Sequence, residues 1–173
     1  EFIDFLQAAG QSYWQILPLS PTGYGDSPYQ AFSTFAGNHY LIDLDLLVQE
    51  GLLQTQEIQS LDWGADPEHV DFGRMYALRS QVLQLAYGRF SDWQALKQFV
   101  AENAHWLEDY GLFMALKARF HGKDWQSWSV SLLMRYAPVL DSYRAELENE
   151  IQFQYFLQYT FFKQWKALRS YAN

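Results

Sequence analysis

The residues best equipped for chemistry in this chain gather in one stretch, residues 18–38, which reads PLSPTGYGDSPYQAFSTFAGN. Tyr24, Asp26, Ser27, Tyr29 and Gln30 stand close together there, among prolines and glycines that interrupt any regular period. Aromatic faces beside hydroxyl, amide and carboxylate groups suit a neutral polyhydroxylated ligand. Its C–H faces stack on the rings while its hydroxyls exchange hydrogen bonds. Cleaving a glycosidic bond would require paired carboxylates, one as acid/base and the other as nucleophile or base. Asp26 is the one acid of this stretch and reads more simply as a turn stabiliser or hydroxyl acceptor. Asp43 and Asp45 read as N-terminal caps of a following helix, and Glu1 and Asp4 lie on the first one. No catalytic pair emerges.

Other chemistries find less support. His39, His69, His105 and His121 are scattered. His105 and Asp109 share a helix face at i, i+4, but no third ligand accompanies them, so no metal is expected. Neither a glycine-rich phosphate loop nor a nucleophile elbow is present, and no cofactor is expected. The 173 residues carry 20 acidic and 12 basic side chains, a formal net charge of −8. That balance argues against a nucleic-acid partner, whose phosphates must be neutralised by Lys and Arg. No apolar run approaches membrane-spanning length, and no basic-then-apolar leader opens the chain. The absence of cysteine fits a reducing compartment, so a cytoplasmic location is expected. Because the first residue is Glu and helical spacing starts at once, a piece of a longer protein is expected.

The elements that must position residues 18–38 are lopsided. Phe2, Phe5, Leu6 and Ala9 follow helical spacing, with Gly10 as terminator. A bulky β-prone run over residues 13–17 then ends at Pro18. Helix, strand, then a long loop is the order of an α/β unit, and in a β/α barrel such a loop lies on the ligand-binding face. From Leu41 onward the spacing is helical. Leu44, Leu47 and Val48 precede Gly51, and Thr55 is read as a cap for Ile58 and Leu61. Asp66-Pro67-Glu68 is read as a helix start, and Met75, Leu78, Val82 and Leu85 as a stripe closed by Gly88. Ser91 and Gln94 fit a capping box for a helix reaching Phe120, broken by His121-Gly122-Lys123. The stretch around Trp125, Trp128 and Ala137-Pro138 reads as irregular, with one helical turn over residues 131–135. A long helix is expected over residues 142–172, aromatic on more than one face and so buried on both sides. A single parallel strand cannot cover its own edges, so the sheet it belongs to is expected outside these residues.

At the level of loop chemistry two readings of Tyr24 and Tyr29 stay open. They are plugs that seat the loop on a rim, or sugar platforms around the rigid Gly25-Asp26-Ser27-Pro28 turn. Aromatic residues make up 18% of the chain, and composition alone favours core packing for most of them.

The run WQILPLSPTGYGDSPYQAFSTFAGN followed by LIDLDLLVQEGLL resembles the opening of the 4-alpha-glucanotransferases, the amylomaltases or disproportionating enzymes of glycoside hydrolase family 77. Val70-Asp71-Phe72-Gly73, Trp106-Leu107-Glu108-Asp109-Tyr110, Leu112-Phe113-Met114-Ala115-Leu116 and the closing FLQYTFFKQWKALRSYAN extend the resemblance over nearly the whole chain. The resemblance implies an α/β fold, a fragment of a (β/α)8 TIM barrel with a large all-helical insertion, mostly α as it stands. Residues 1–40 would be barrel segment, 41–141 the insertion and 142–173 a helix returning to the barrel. It implies a retaining transfer of α-1,4-glucan segments between maltooligosaccharide or amylose chains, with the remainder of its own barrel as partner. The catalytic Asp and Glu and a second Asp would lie beyond residue 173, so the 173 residues alone are expected to be inactive. Substrate-binding residues implied by motif are Tyr29 at the cleavage subsite, Ser27 beside it, Tyr24 in a secondary glucan groove, and Asp26 and Gln30. Phe72 or Tyr76 is the candidate for that second groove. His39 stands where the family commonly has proline. The alternatives are a non-catalytic helical glucan-binding module, disfavoured by the unpartnered strand, and an α-amylase-type hydrolase fragment, disfavoured by the insertion.

Overall fold

A computed structural model describes residues 1–173 except Tyr24, Asp26 and Pro67. Helix α1 (Phe2–Ala8) stops before Gly10, whose φ of +69° no further helical turn could accept. Residues 11–19 then form neither helix nor strand, and Tyr13, Trp14, Ile16 and Leu17 remain largely exposed. The strand expected over residues 13–17 is thus not formed as a ladder element. Its N–H and C=O groups need a neighbouring strand, and the described residues supply none. Their single β pairing is an antiparallel bridge between Thr22 and Ala31.

The rest is helical: α2 (Leu44–Gln49), α3 (Thr55–Gln59), α4 (Phe72–Arg89), α5 (Trp93–Arg119), α6 (Val130–Leu133), α7 (Ala137–Glu146) and α8 (Glu148–Ala172). Single 3-10 turns lie at His39–Leu41 and Trp125–Ser127. Asp43 caps α2 as expected, its carboxylate accepting from the N–H groups of Asp45 and Leu46. Several other starts move by a residue or more. Gln54 rather than Thr55 caps α3, in a reciprocal box with Glu57. Asp66 spends its carboxylate on the Glu68 N–H and the His69 ring, making a turn, and Asp71 launches α4 by accepting from Arg74 N–H. Pro67 of that expected helix start lies outside the described residues. Asp92, not Ser91, caps α5 through Ala95 N–H. At α2, α4 and α5 the cap is a carboxylate, a charged acceptor that bonds an orphan N–H strongly.

The face expected on α4 is rotated. Val82, Leu83 and Ala86 are buried, whereas Leu85 is exposed and Gly88 lies inside the helix. Ala137-Pro138 opens α7, with proline in the first turn where its missing N–H costs nothing. The long helix expected over residues 142–172 is two helices, separated at Leu147. Leu147 itself is buried, so the break turns an apolar side chain into the core.

Helix α8 is the spine. It packs along α5 and also meets α4, α7 and the His39–Leu41 turn. Phe156 on α8 and Leu107 on α5 are fully buried, and each such side chain contributes about 1.5–3 kcal/mol by leaving water. Rings from α4, α5 and α8 interlock around it: Phe90 and Tyr87 on Phe156, Phe99 on Tyr159 and Phe162. The expectation of burial on several faces of this helix holds up to Trp165; Leu168 and Tyr171 beyond it are exposed. Gly111 lets α5 and α8 approach, since a Cβ there would lie 2.5 Å from the Tyr155 ring.

Candidate functional site

Residues 18–38 form a closed excursion from this helical unit. Its base is tied by Asn38 N–H donating to Leu19 C=O at 2.7 Å. Phe32 N–H donates to Pro21 C=O and Gly23 N–H to Gln30 C=O at 2.9 Å, which flank the Thr22–Ala31 bridge. The expected turn over residues 25–28 includes Asp26, outside the described residues; at the tip a turn is formed over residues 27–30. Gln30 N–H bonds Ser27 C=O at 3.1 Å, and the Ser27 hydroxyl oxygen accepts from Tyr29 N–H at 3.3 Å. Tyr29 projects from that turn, 77% exposed. Tyr24 and Asp26 lie outside the described residues, so their expected roles have no geometry here.

The aromatic residues after the tip are used as anchors. Phe32 meets Phe113 of α5, with the Lys117 ammonium 5.4 Å from its ring centre. Phe35 stacks on Trp106 and presents its edge to His105. His105 is thus part of an aromatic contact. Among the described residues no group of three His, Asp or Glu could hold a metal ion. Ala36 and Gly37 disappear beneath α8.

Between the loop and the helical unit runs an open groove of about 1480 Å³. Gly23, Gln30 and Phe32 form its loop wall, and Tyr40, Tyr76, Phe113, Trp125 and Trp128 bring aromatic surface from elsewhere in the chain. Lys117 stands at the junction, donating to the carbonyls of Gly122 and Lys123 at 2.8 and 3.1 Å. Those bonds close the C-terminal end of α5 and fix the turn that carries His121 and Gly122 in left-handed conformations. Asp124 is the one carboxylate of the described lining, and its side chain is occupied with the Gln126 N–H. Rings with a few fixed polar groups bind and orient a ligand, while bond cleavage by two carboxylates has no counterpart among these residues.

Of the residues singled out by sequence, Gln30 lines the groove, while Tyr29 and Ser27 sit at the adjoining tip outside it. Tyr76 lines it too; Phe72 instead packs beside Tyr76. Trp125, Trp128, Phe113 and Lys117 were not singled out by sequence. Trp125 and Trp128 do carry the signal used for the loop: bulky rings in an irregular, turn-rich stretch.

A smaller pocket of about 300 Å³ shares Tyr40, Lys117 and Gly122 with the groove and is lined also by His39, Ser80 and Gln154. The buried Nδ1 of His39 and Oε1 of Gln154 have no hydrogen-bond partner among the described residues. Burial, reinforced by the Arg79 guanidinium, pushes the His39 pKa down to about 4, so its ring is neutral at pH 7. Arg79 itself donates to the Ile42 carbonyl. Helix length gives no route across a membrane: no helix among the described residues is long and apolar enough to span one.

The glycoside hydrolase family 77 model, described as 4-alpha-glucanotransferase, matches residues 1–173. A 4-alpha-glucanotransferase of Clostridium butyricum is 45% identical over 175 residues, covering 100% of this chain and 36% of the relative. One from Thermus thermophilus is 43% identical, with 100% and 35% covered. Among solved structures, the amylomaltase from Streptococcus agalactiae in complex with acarbose superposes with a TM-score of 0.96 at 41% identity, over 99% of this chain and 36% of that one. The chain spans about a third of the length of the relatives it matches. Matched by that model from its first residue to its last, the chain belongs to the 4-alpha-glucanotransferase family.

Proposed function

We propose that this chain forms the sugar-holding wall of a 4-alpha-glucanotransferase that moves α-1,4-glucan segments between maltooligosaccharide or amylose chains by retaining double displacement. The observation that carries the reading is the groove itself. Gln30 and Phe32 of the loop line it together with Tyr76, Phe113, Trp125 and Trp128, and it is open to solvent. Such a surface fits a chain of sugar rings better than a small enclosed ligand. Acarbose, a maltooligosaccharide analogue, is bound by the Streptococcus amylomaltase, which supports glucan as the ligand class here. The net charge of −8 is compatible with a neutral substrate.

In this reading residues 1–40 belong to a β/α barrel, residues 41–141 to a helical insertion and residues 142–173 to a helix that returns to the barrel. The exposed Tyr13, Trp14, Ile16 and Leu17 would be covered by neighbouring barrel strands. Tyr29 would stack on the donor sugar at the cleavage subsite, with Ser27 and Gln30 binding the same donor chain beside it. Tyr24, Asp26 and Tyr76 would meet glucan farther along. The nucleophile and acid/base come from other parts of the barrel, and the enzyme works in the cytoplasm. Tyr29→Ala in the complete enzyme is expected to lower kcat/KM for maltotriose disproportionation by about tenfold or more, since a stacked ring is lost from the reacting subsite. Unchanged kinetics would remove Tyr29 from the site.

A further inference from the structure

We propose that Gln158 is a positioning residue: its buried side-chain amide sets the place of Gly37 and thereby holds the substrate-binding loop in working shape. The proposal rests on the reading of that loop as sugar-binding. Gln158 lies in the middle of α8 with no exposure to solvent. A buried amide is costly unless both of its ends are paired. Here both ends go to one residue. The amide oxygen accepts from Gly37 N–H at 2.8 Å, and the amide nitrogen donates to Gly37 C=O at 2.9 Å.

The third side of Gly37 is fixed by shape. An added Cβ would lie 1.9 Å from a ring carbon of Phe161, one turn along the same helix. One residue later, Asn38 N–H bonds Leu19 C=O, so the two ends of the loop meet beside the clamp. From there outward, the described bonds within residues 20–32 run between loop residues. The ring contacts of Phe32 and Phe35 with α5 are the further supports. Tyr29, exposed at the tip, takes its position from this base.

Gln164 provides an internal comparison. It makes the same two bonds to the backbone of Asp43, at 2.7 and 3.0 Å. That pair is exposed and lies at the start of α2, past the loop. Water can replace an exposed amide, and it cannot reach a buried one.

The test uses Gln158→Met, Gln158→Glu and Gln164→Met in the complete transferase that carries this chain. Readouts are maltotriose disproportionation and amide hydrogen exchange. Met keeps the length and loses both bonds. Gln158→Met is expected to lower kcat by about tenfold and to raise exchange in residues 19–38, with protection of α5 and α8 retained. Gln164→Met is expected to stay within about twofold of wild type. Gln158→Glu keeps the acceptor and sets a carboxylate against the Gly37 carbonyl. Protonation restores the donor, so activity relative to wild type should rise as pH falls. Wild-type kcat in Gln158→Met would overturn the proposal. So would exchange raised equally through the helices, or a Gln158→Glu ratio flat with pH. If Gln158→Met does not fold, the Gln158→Glu pH ratio decides alone. Unchanged kinetics in Tyr29→Ala beside a loosened loop in Gln158→Met would sink the sugar-binding reading and leave the clamp standing.

Discussion

Phe2, Phe5, Tyr13, Trp14, Ile16 and Leu17, near the start of the chain, are each between 40% and 95% exposed, whereas Leu83, Leu107 and Phe156 in the helical unit are 0% exposed. The residue types are the same and their situations are opposite. Helices α4, α5, α7 and α8 satisfy their own backbones and turn apolar faces toward one another, so their rings find partners within the unit. The first 35 residues have one short helix and a loop, and their apolar side chains make a surface. They are held by few contacts, among them Phe2 on Trp14 and the Tyr171 hydroxyl donating to Asp4. Rings that pack no core of their own remain available for a partner or a ligand. The first segment contributes turns and a ring to the groove, while the rest of the chain supplies the core and also the groove's opposite wall, Tyr76, Phe113, Trp125 and Trp128.

The sharpest way to break this division is to delete one ring from each side. Phe156→Ala is expected to cost about 3–5 kcal/mol, because the cavity left among Tyr87, Phe90 and Phe153 adds to the lost transfer energy. Tyr13→Ala, at 95% exposure, should stay within about 0.5 kcal/mol. Urea unfolding of the chain monitored by circular dichroism measures both. Equal losses would mean that residues 1–35 share the core after all.

Gly37 lies on the border, and its replacement separates contact from backbone. Its φ is outside the left-handed region, so alanine there meets no backbone strain and should even reduce the entropy of the unfolded chain. The contact decides the sign. A Cβ at 1.9 Å from the Phe161 ring forces α8 or the loop aside, at about 2–3 kcal/mol. Gly88→Ala in α4, where nothing lies within 4 Å, should stabilise by about 0.5–1 kcal/mol. Phe161→Leu should recover part of the Gly37→Ala loss, read from the double mutant as non-additivity in the urea midpoint.

Helix content was legible because it rests on local spacing: α1, α2, α5 and the α5 terminator at His121-Gly122 fall where periodicity places them. Helix starts were less so. Asp71 rather than Asp66, and Asp92 rather than Ser91, cap their helices, and which acceptor does so depends on where tertiary packing sets the following helix. The break at Leu147 has no glycine or proline to announce it, since packing of α7 across α5 and α8 makes the turn. The loop was legible as a candidate site from its rings and turn residues, and Gln30 does line the groove. The opposite wall was not, because Phe113 and Lys117, which meet Phe32, and Trp128, which meets Phe113, are distant from the loop in sequence and reach it only through the fold. Gln158 gave no signal at all: one glutamine in a helix looks like surface until its backbone partner is known.

His39, in the turn that joins the loop to the helices, gives the most selective test. Its folded pKa, about 4, lies below the ordinary 6.5 because burial and the nearby Arg79 charge disfavour the imidazolium. As pH falls below 6.5 the unfolded chain takes up this proton and the folded chain does not, until about 4. Stability from this group is therefore full above 6.5, declines between 6.5 and 4, and levels below. Glu57, held at about 2 by bonds from Arg89 and then from the Gln54 N–H, acts in the opposite group class but a lower window, from 4.5 downward. The decline above pH 4.5 can thus be assigned. It should amount to about 2 kcal/mol in the unfolding free energy from urea titrations at pH 7 and pH 4.5. His39→Phe keeps a ring against Tyr40 and should flatten the decline, while Glu57→Gln should preserve it. A wild-type profile flat over that range would show a solvated His39 and an open junction, which would move the border between the two regions to the far side of the turn.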